Sequence, residues 1–191
     1  MTYALGFRVK SGRAVAVALA GSFASPALLA RTEVLLSDPA IHETKQPYHA
    51  GMGTAQEDPK TIARLVSIVR RCARTSIDQL LTDDRLTAGL CQGAALVVGS
   101  VIDPEEVGNP HIRAHAREGK LFRGVVEEAL QANHVRCTII VEKKLAAEAA
   151  KKLGRRDGDI KRVVGDLGRG LAGPWRADEK AAAIGAWIAL G

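Results

Sequence analysis

Leu5-Gly6-Phe7-Arg8-Val9-Lys10-Ser11-Gly12-Arg13-Ala14-Val15-Ala16-Val17 is the stretch on which the reading of this chain turns. Tyr3–Val9 alternates as a half-buried strand does, and Lys10-Ser11-Gly12 has the composition of a tight turn. A second strand, rich in Val and Ala, runs from Arg13 to Ala20 and is closed by Gly21-Ser22. A third is expected over Ala27–Ser37, and connections this short imply an antiparallel meander.

Downstream the period changes. Asp38 to Asp58 is a polar loop, too long for a plain connection, so it is either mobile or functional. Ile62, Leu65, Val66, Val69, Ala73, Ile77 and Leu80 then recur at helical spacing from about Pro59 to Leu81, with Asp58 placed to cap the helix. Ala94–Ile102 reads as a buried strand, Pro110–Leu130 as a helix and Val135–Val141 as another strand. Helices are expected over Leu145–Lys152, Asp157–Asp166 and Ala177–Leu190. The order is three strands, then alternating helix and strand, with extra helical material before the end.

This order, with particular residues, resembles the ribonuclease-H-like superfamily. Leu5 through Val17 is similar to the opening strand pair of Holliday-junction resolvases and their rRNA-processing nuclease relatives, which begin Leu-Gly-Ile-Asp. Ile160-Lys161-Arg162-Val163-Val164-Gly165 with Gly168-Arg169 resembles the resolvases' loop before the final helix, and Arg176 to Ile184 resembles that acidic, alanine-rich helix. The resemblance implies an α/β fold: a mixed five-stranded sheet, three antiparallel strands followed by βαβ, flanked by helices. It implies one domain over residues 1–191, carrying a basic helical and loop insertion at about 143–176. It further implies nucleic-acid chemistry by two Mg²⁺ or Mn²⁺ ions held by carboxylates of the first strand, the fourth strand and the last helix. Arg8 stands where the first carboxylate belongs, and Lys10 is the next inward candidate. A cation there repels Mg²⁺ or Mn²⁺, so either cofactor is disfavoured. The resemblance leaves Asp103 (with Glu105 or Glu106) for the fourth strand and Asp178 or Glu179 for the last helix.

Gly108 to Glu118 is the most chemically loaded stretch. His111, His115 and Glu118 share one helical face. Two histidines at this spacing suit a transition metal, or one suits a general base. Arg113 and Arg117 stand by as phosphate-binding arms. The competing reading makes His115 a half-buried core histidine in line with Phe122, and no third ligand is visible in the sequence. A catalytic arrangement would bring Lys10, Asp103 and His111 together, with histidine as base and cations on the oxyanion.

The chain has 191 residues, 27 Lys+Arg against 21 Asp+Glu, and a net charge of +6. Lys143 through Lys180 holds eleven Lys/Arg and six Asp/Glu, so nearly all the surplus is local. Lys161, Arg162 and Arg169, together with Arg8, are therefore candidate nucleic-acid contacts. With few aromatics available for stacking, branched or structured nucleic acid would be read by phosphate and shape. The odd, unpatterned Cys72, Cys91 and Cys137 read as buried free thiols of a cytoplasmic protein. Arg8, Lys10 and Arg13 before Ala14–Ala20 imitate a secretory signal, but the run is short and strand-like, and no stretch suits a membrane span.

Three readings follow. The first is a nucleic-acid-binding or -processing protein with a non-standard active site, a phosphodiester hydrolase if it is an enzyme. The second is a non-catalytic adaptor or oligomerising relative, with the apolar end Ala186–Gly191 suggesting a homodimer. The third is a nucleotide-phosphate binder.

Overall fold

The computed structural model describes residues 1–51 and 53–191. Strands β1 (Thr2–Lys10), β2 (Arg13–Ser22) and β3 (Ser25–Leu35) form the meander. Lys10 faces Arg13 across the Ser11-Gly12 turn, where Gly12 takes a φ of +76° that disfavours any side chain. Next come a 3-10 turn (His42–Lys45), a small hairpin of β4 (His49–Gly51) and β5 (Thr54–Ala55), and helices α1 (Pro59–Leu81) and α2 (Asp84–Thr87). Strand β6 (Leu90–Val98), helix α3 (Pro110–Ala132), strand β7 (Cys137–Val141) and helices α4 (Leu145–Leu153), α5 (Asp157–Leu167) and α6 (Ala177–Ala189) complete the chain.

The main sheet has the order β3-β2-β1-β6-β7. β1 is central, antiparallel to β2 and parallel to β6, and β7 adds in parallel to β6. The mixed five-stranded sheet flanked by helices is as expected. One strand is displaced: β6 starts at Leu90 and stops at Val98, whereas Ala94–Ile102 was expected, and Val101 and Ile102 are exposed beyond its end. Hydrophobicity alone does not mark where the parallel pairing with β1 stops.

Side-chain alternation on β1 organises the layers. Tyr3, Leu5, Phe7 and Val9 point into the larger core, with Val69, Ala73 and Ile77 of α1 and Phe122, Val126 and Leu130 of α3. The opposite face carries Gly6 and Arg8 and meets α6. A Cβ at Gly6 would collide with the Ala182 carbonyl and the Ala186 amide, so glycine is what lets α6 lie directly on the strand. Val17, Leu19, Ala149, Leu153, Ile160, Val164, Ala182 and Trp187 fill this second core.

The basic segment 143–176 is thus mostly helical, and α4 and α5 contribute buried residues to the core. Trp187 is fully buried, with its indole N–H donating to the Phe23 carbonyl, so the chain's own core accounts for the apolar end. Likewise Ala14–Ala20 is the buried part of β2, an interior strand of the sheet. The three cysteines are free but only half-buried, less enclosed than their neighbours suggested. Among the described residues, no helix is long and apolar enough to cross a membrane.

Candidate functional site

The C-terminal ends of β1 and β6 open onto a cavity of about 560 Å³ lined by Arg8, Lys10, Ser11, Arg13, Val98, Gly99, Ser100, His115 and Phe122. This is the edge of an open α/β sheet where ligands gather. Two charged clusters meet it.

The first lies between β1 and α6. Arg8 alternates onto the α6 side of β1, and its side chain is only 8% exposed. Its Nη2 donates to Glu142 Oε2 at 2.6 Å, and Nη1 donates to the Val9 and Val97 carbonyls at 3.0 and 3.4 Å. Nε is 4.0 Å from Asp178 Oδ1 and makes no hydrogen bond among the described residues. Lys10 Nζ lies 2.7 Å from the other oxygen of Asp178. The acids that reach the central strand's end are therefore each engaged by a cation of the chain itself. Glu142, which begins the turn after β7, was not singled out in the sequence. Its signal was its place immediately after an apolar strand of the sheet.

The remaining acidic candidates have other partners. Glu179 is buried and accepts the Arg176 amide at 2.8 Å, which makes it a cap of α6. Asp103 starts the turn before α3, accepts the Glu105 amide and lies 3.6 Å from Lys120. Neither Asp103 nor His111 is among the residues lining the cavity, whereas Lys10 is. The residues present do not fit a carboxylate-held Mg²⁺ or Mn²⁺ pair: the central position is filled by a guanidinium, and among the described residues no free carboxylate faces it.

The second cluster sits on α3. Asn109 caps this helix by accepting the His111 and Ile112 amides, and Pro110 occupies its first turn. His111, His115 and Glu118 lie on one face as their spacing requires. The long polar loop supplies the residue missing from the sequence reading. His49, on β4, is buried against this face, and its Nδ1 is 2.6 Å from Glu118 Oε1. Nε2 of His111 and Nε2 of His115 are 3.3 Å apart. Ring centroids of the three histidines are separated by 4.5 to 5.2 Å. His115 is half exposed, not a core residue, whereas Glu118 is fully enclosed. Burial pushes the Glu118 carboxyl above its ordinary value, and the hydrogen bond to His49 partly offsets this.

The cationic candidates are largely occupied. Arg113 donates to the Val107 carbonyl, Arg117 pairs with Glu105, and Lys161, Arg162 and Arg169 pair with Asp157, Asp159 and Asp166 one helical turn away. On α5 the local surplus is thus mostly self-neutralised. Lys143, Lys144, Lys151 and Lys152 are exposed and have no acidic partner among the described residues. The first two directly follow Glu142 at the edge of the site.

No protein-family model matches the chain, and no curated protein matches it in sequence. Solved structures do match it in shape. RuvC of Thermus thermophilus in complex with a Holliday-junction substrate aligns over 98% of this chain and 92% of its own, with 13% identity and a TM-score of 0.58. A second Thermus thermophilus RuvC structure aligns over 97% and 92%, with 14% identity and a TM-score of 0.53. The resemblance noted in the opening strands and last helix therefore extends to nearly the whole chain, which has the ribonuclease-H-like fold in the form that RuvC displays.

Proposed function

We propose that this protein binds structured nucleic acid through the cleft at the ends of β1 and β6, and that it does not use the carboxylate-held metal pair implied by its fold. The observation that carries this is Arg8. A buried guanidinium bound to Glu142 at 2.6 Å replaces a cation with the chain's own charge. Lys10 does the same for Asp178. Arg13 and His115 line the cavity beside them, and the exposed Lys143 and Lys144, directly after Glu142 in the chain, add positive surface together with Lys151 and Lys152 of α4. Such a surface suits a phosphate backbone, and the shortage of aromatics argues against base stacking. The fold's likeness to a junction-bound protein supports a branched substrate. The same ion pairs favour a second reading, a non-catalytic adaptor that keeps binding without cleavage.

The test is fluorescence anisotropy with a labelled four-way DNA junction across a salt series. Affinity is expected to fall steeply with salt. Replacing Lys143, Lys144, Lys151 and Lys152 by alanine should flatten the log–log slope by about one unit per lost duplex phosphate contact. Salt-independent binding, or an unchanged slope in the quadruple variant, contradicts the proposal.

A further inference from the structure

We propose that His49, His111 and His115 form a Zn²⁺ site that joins the polar loop to α3, with Glu118 as the residue that positions His49. The site shares only His115 with the cleft of the nucleic-acid reading and does not depend on that reading.

Four observations converge. The three histidines each offer a ligand nitrogen, and these atoms lie within 4.8 Å of one another. Two nitrogens bound tetrahedrally to one zinc at its usual bond length stand about 3.3 Å apart, and Nε2 of His111 and Nε2 of His115 are 3.3 Å apart. The His49 side chain is 5% exposed, yet its Nε2 has no hydrogen-bond partner among the described residues. Leaving a buried polar nitrogen unsatisfied is costly, and a ligand removes that cost. Finally, His49 Nδ1 is held by Glu118 at 2.6 Å. A carboxylate on Nδ1 fixes the proton there and leaves the Nε2 lone pair free to coordinate, as carboxylate partners of metal-bound histidines do.

Three imidazoles and no cysteine select a borderline ion, because Mg²⁺ and Ca²⁺ require oxygen donors. Three protein ligands also leave a fourth coordination position open. His115 lines the cavity shared with Arg8, Lys10 and Arg13, so the ion would sit at the margin of the phosphate-binding cleft. The competing account is a buried His49–Glu118 ion pair that ties the loop to α3 without any metal.

The experiment uses the full chain without a histidine tag, stripped with a chelator, dialysed and titrated with ZnCl₂. Bound metal is quantified by mass spectrometry, and Co²⁺ replaces Zn²⁺ in a second arm to read coordination geometry from its visible spectrum. One ion per chain with a tetrahedral Co²⁺ spectrum is expected. H115A should weaken affinity at least 100-fold, and half exposure of His115 makes this variant compatible with folding, which circular dichroism checks. E118Q should weaken it about tenfold to 100-fold. H42A, an exposed histidine of the same loop, should leave it unchanged. Failure of the folded parent chain to retain one equivalent, or H115A binding as tightly as the parent, overturns the proposal in favour of the ion pair. A chain that binds zinc normally but no junction DNA would sink the nucleic-acid reading and leave this one standing.

Discussion

Removing the Glu142 carboxylate should cost more stability than removing the arginine it holds. Arg8 is 8% exposed and Glu142 50%, so the two partners differ in what water can do for them once separated. In E142A the guanidinium stays buried with two carbonyl acceptors and Asp178, whose nearest oxygen is 4.0 Å away and whose other oxygen is bound to Lys10. At an effective dielectric of about 20 a charge pair near 4 Å is worth about 4 kcal/mol. Half exposure of Glu142 screens part of this. A charge-assisted hydrogen bond contributes about 1.5–3 kcal/mol net, so about 2 kcal/mol is expected for E142A. For a chain of this length that is a fall in Tm of about 4–8 °C. E142Q keeps an acceptor oxygen and should lose about half as much. R8M removes the buried charge together with its desolvation penalty and returns Glu142 to water, so its cost should stay within about 1 kcal/mol. Differential scanning calorimetry of the three variants decides the matter. If E142A melts within 1 °C of the parent, or R8M is the more damaging change, Arg8 does not depend on Glu142 as argued.

Other outcomes follow from single contacts. G6A places a methyl group against the backbone of α6 and should destabilise by about 3 kcal/mol or more, read as a large loss of Tm or of soluble protein. The Cys137 thiol is pushed up to about 11, chiefly by burial and further by Glu127. Iodoacetamide at pH 8 should therefore modify it about 100-fold more slowly than free cysteine, with the rate rising as pH climbs toward 11; mass spectrometry of the modified peptide measures this, and a free-cysteine rate refutes it. Asp58 accepts the Lys60 and Thr61 amides at the start of α1, and D58A should lower the denaturant midpoint of unfolding; an unchanged midpoint would refute the cap's contribution.

Much of the fold was legible because local and global signals agree. Val and Ala alternation around Ser11-Gly12 marks the hairpin, and Asp58-Pro59 marks the start of α1 at the residue where it begins. Residues Leu90–Gly93 escaped notice as strand because Gln92 and Gly93 are weak strand formers, and their pairing with Thr2–Ala4 of β1 is a tertiary effect that periodicity does not encode. At the site, the helical spacing of His111, His115 and Glu118 was visible, but His49 was not. It lies outside any regular spacing and reaches α3 only because the loop folds back. The length of that loop was the sole hint. Charge counting also misled along α5, where the cations of a basic segment are matched by acids one turn away.

In the proposed reading, Arg8 and Lys10 hold the place of a catalytic metal pair while the cleft still accepts phosphate. Junction DNA incubated with the protein in Mg²⁺, in Mn²⁺ and in EDTA tests it most directly, with binding and strand integrity read on native and denaturing gels. Equal binding at matched ionic strength is expected with and without the divalent ions, and the strands should stay intact with both Mg²⁺ and Mn²⁺. Cleavage that requires Mg²⁺ or Mn²⁺ and disappears in EDTA would contradict it.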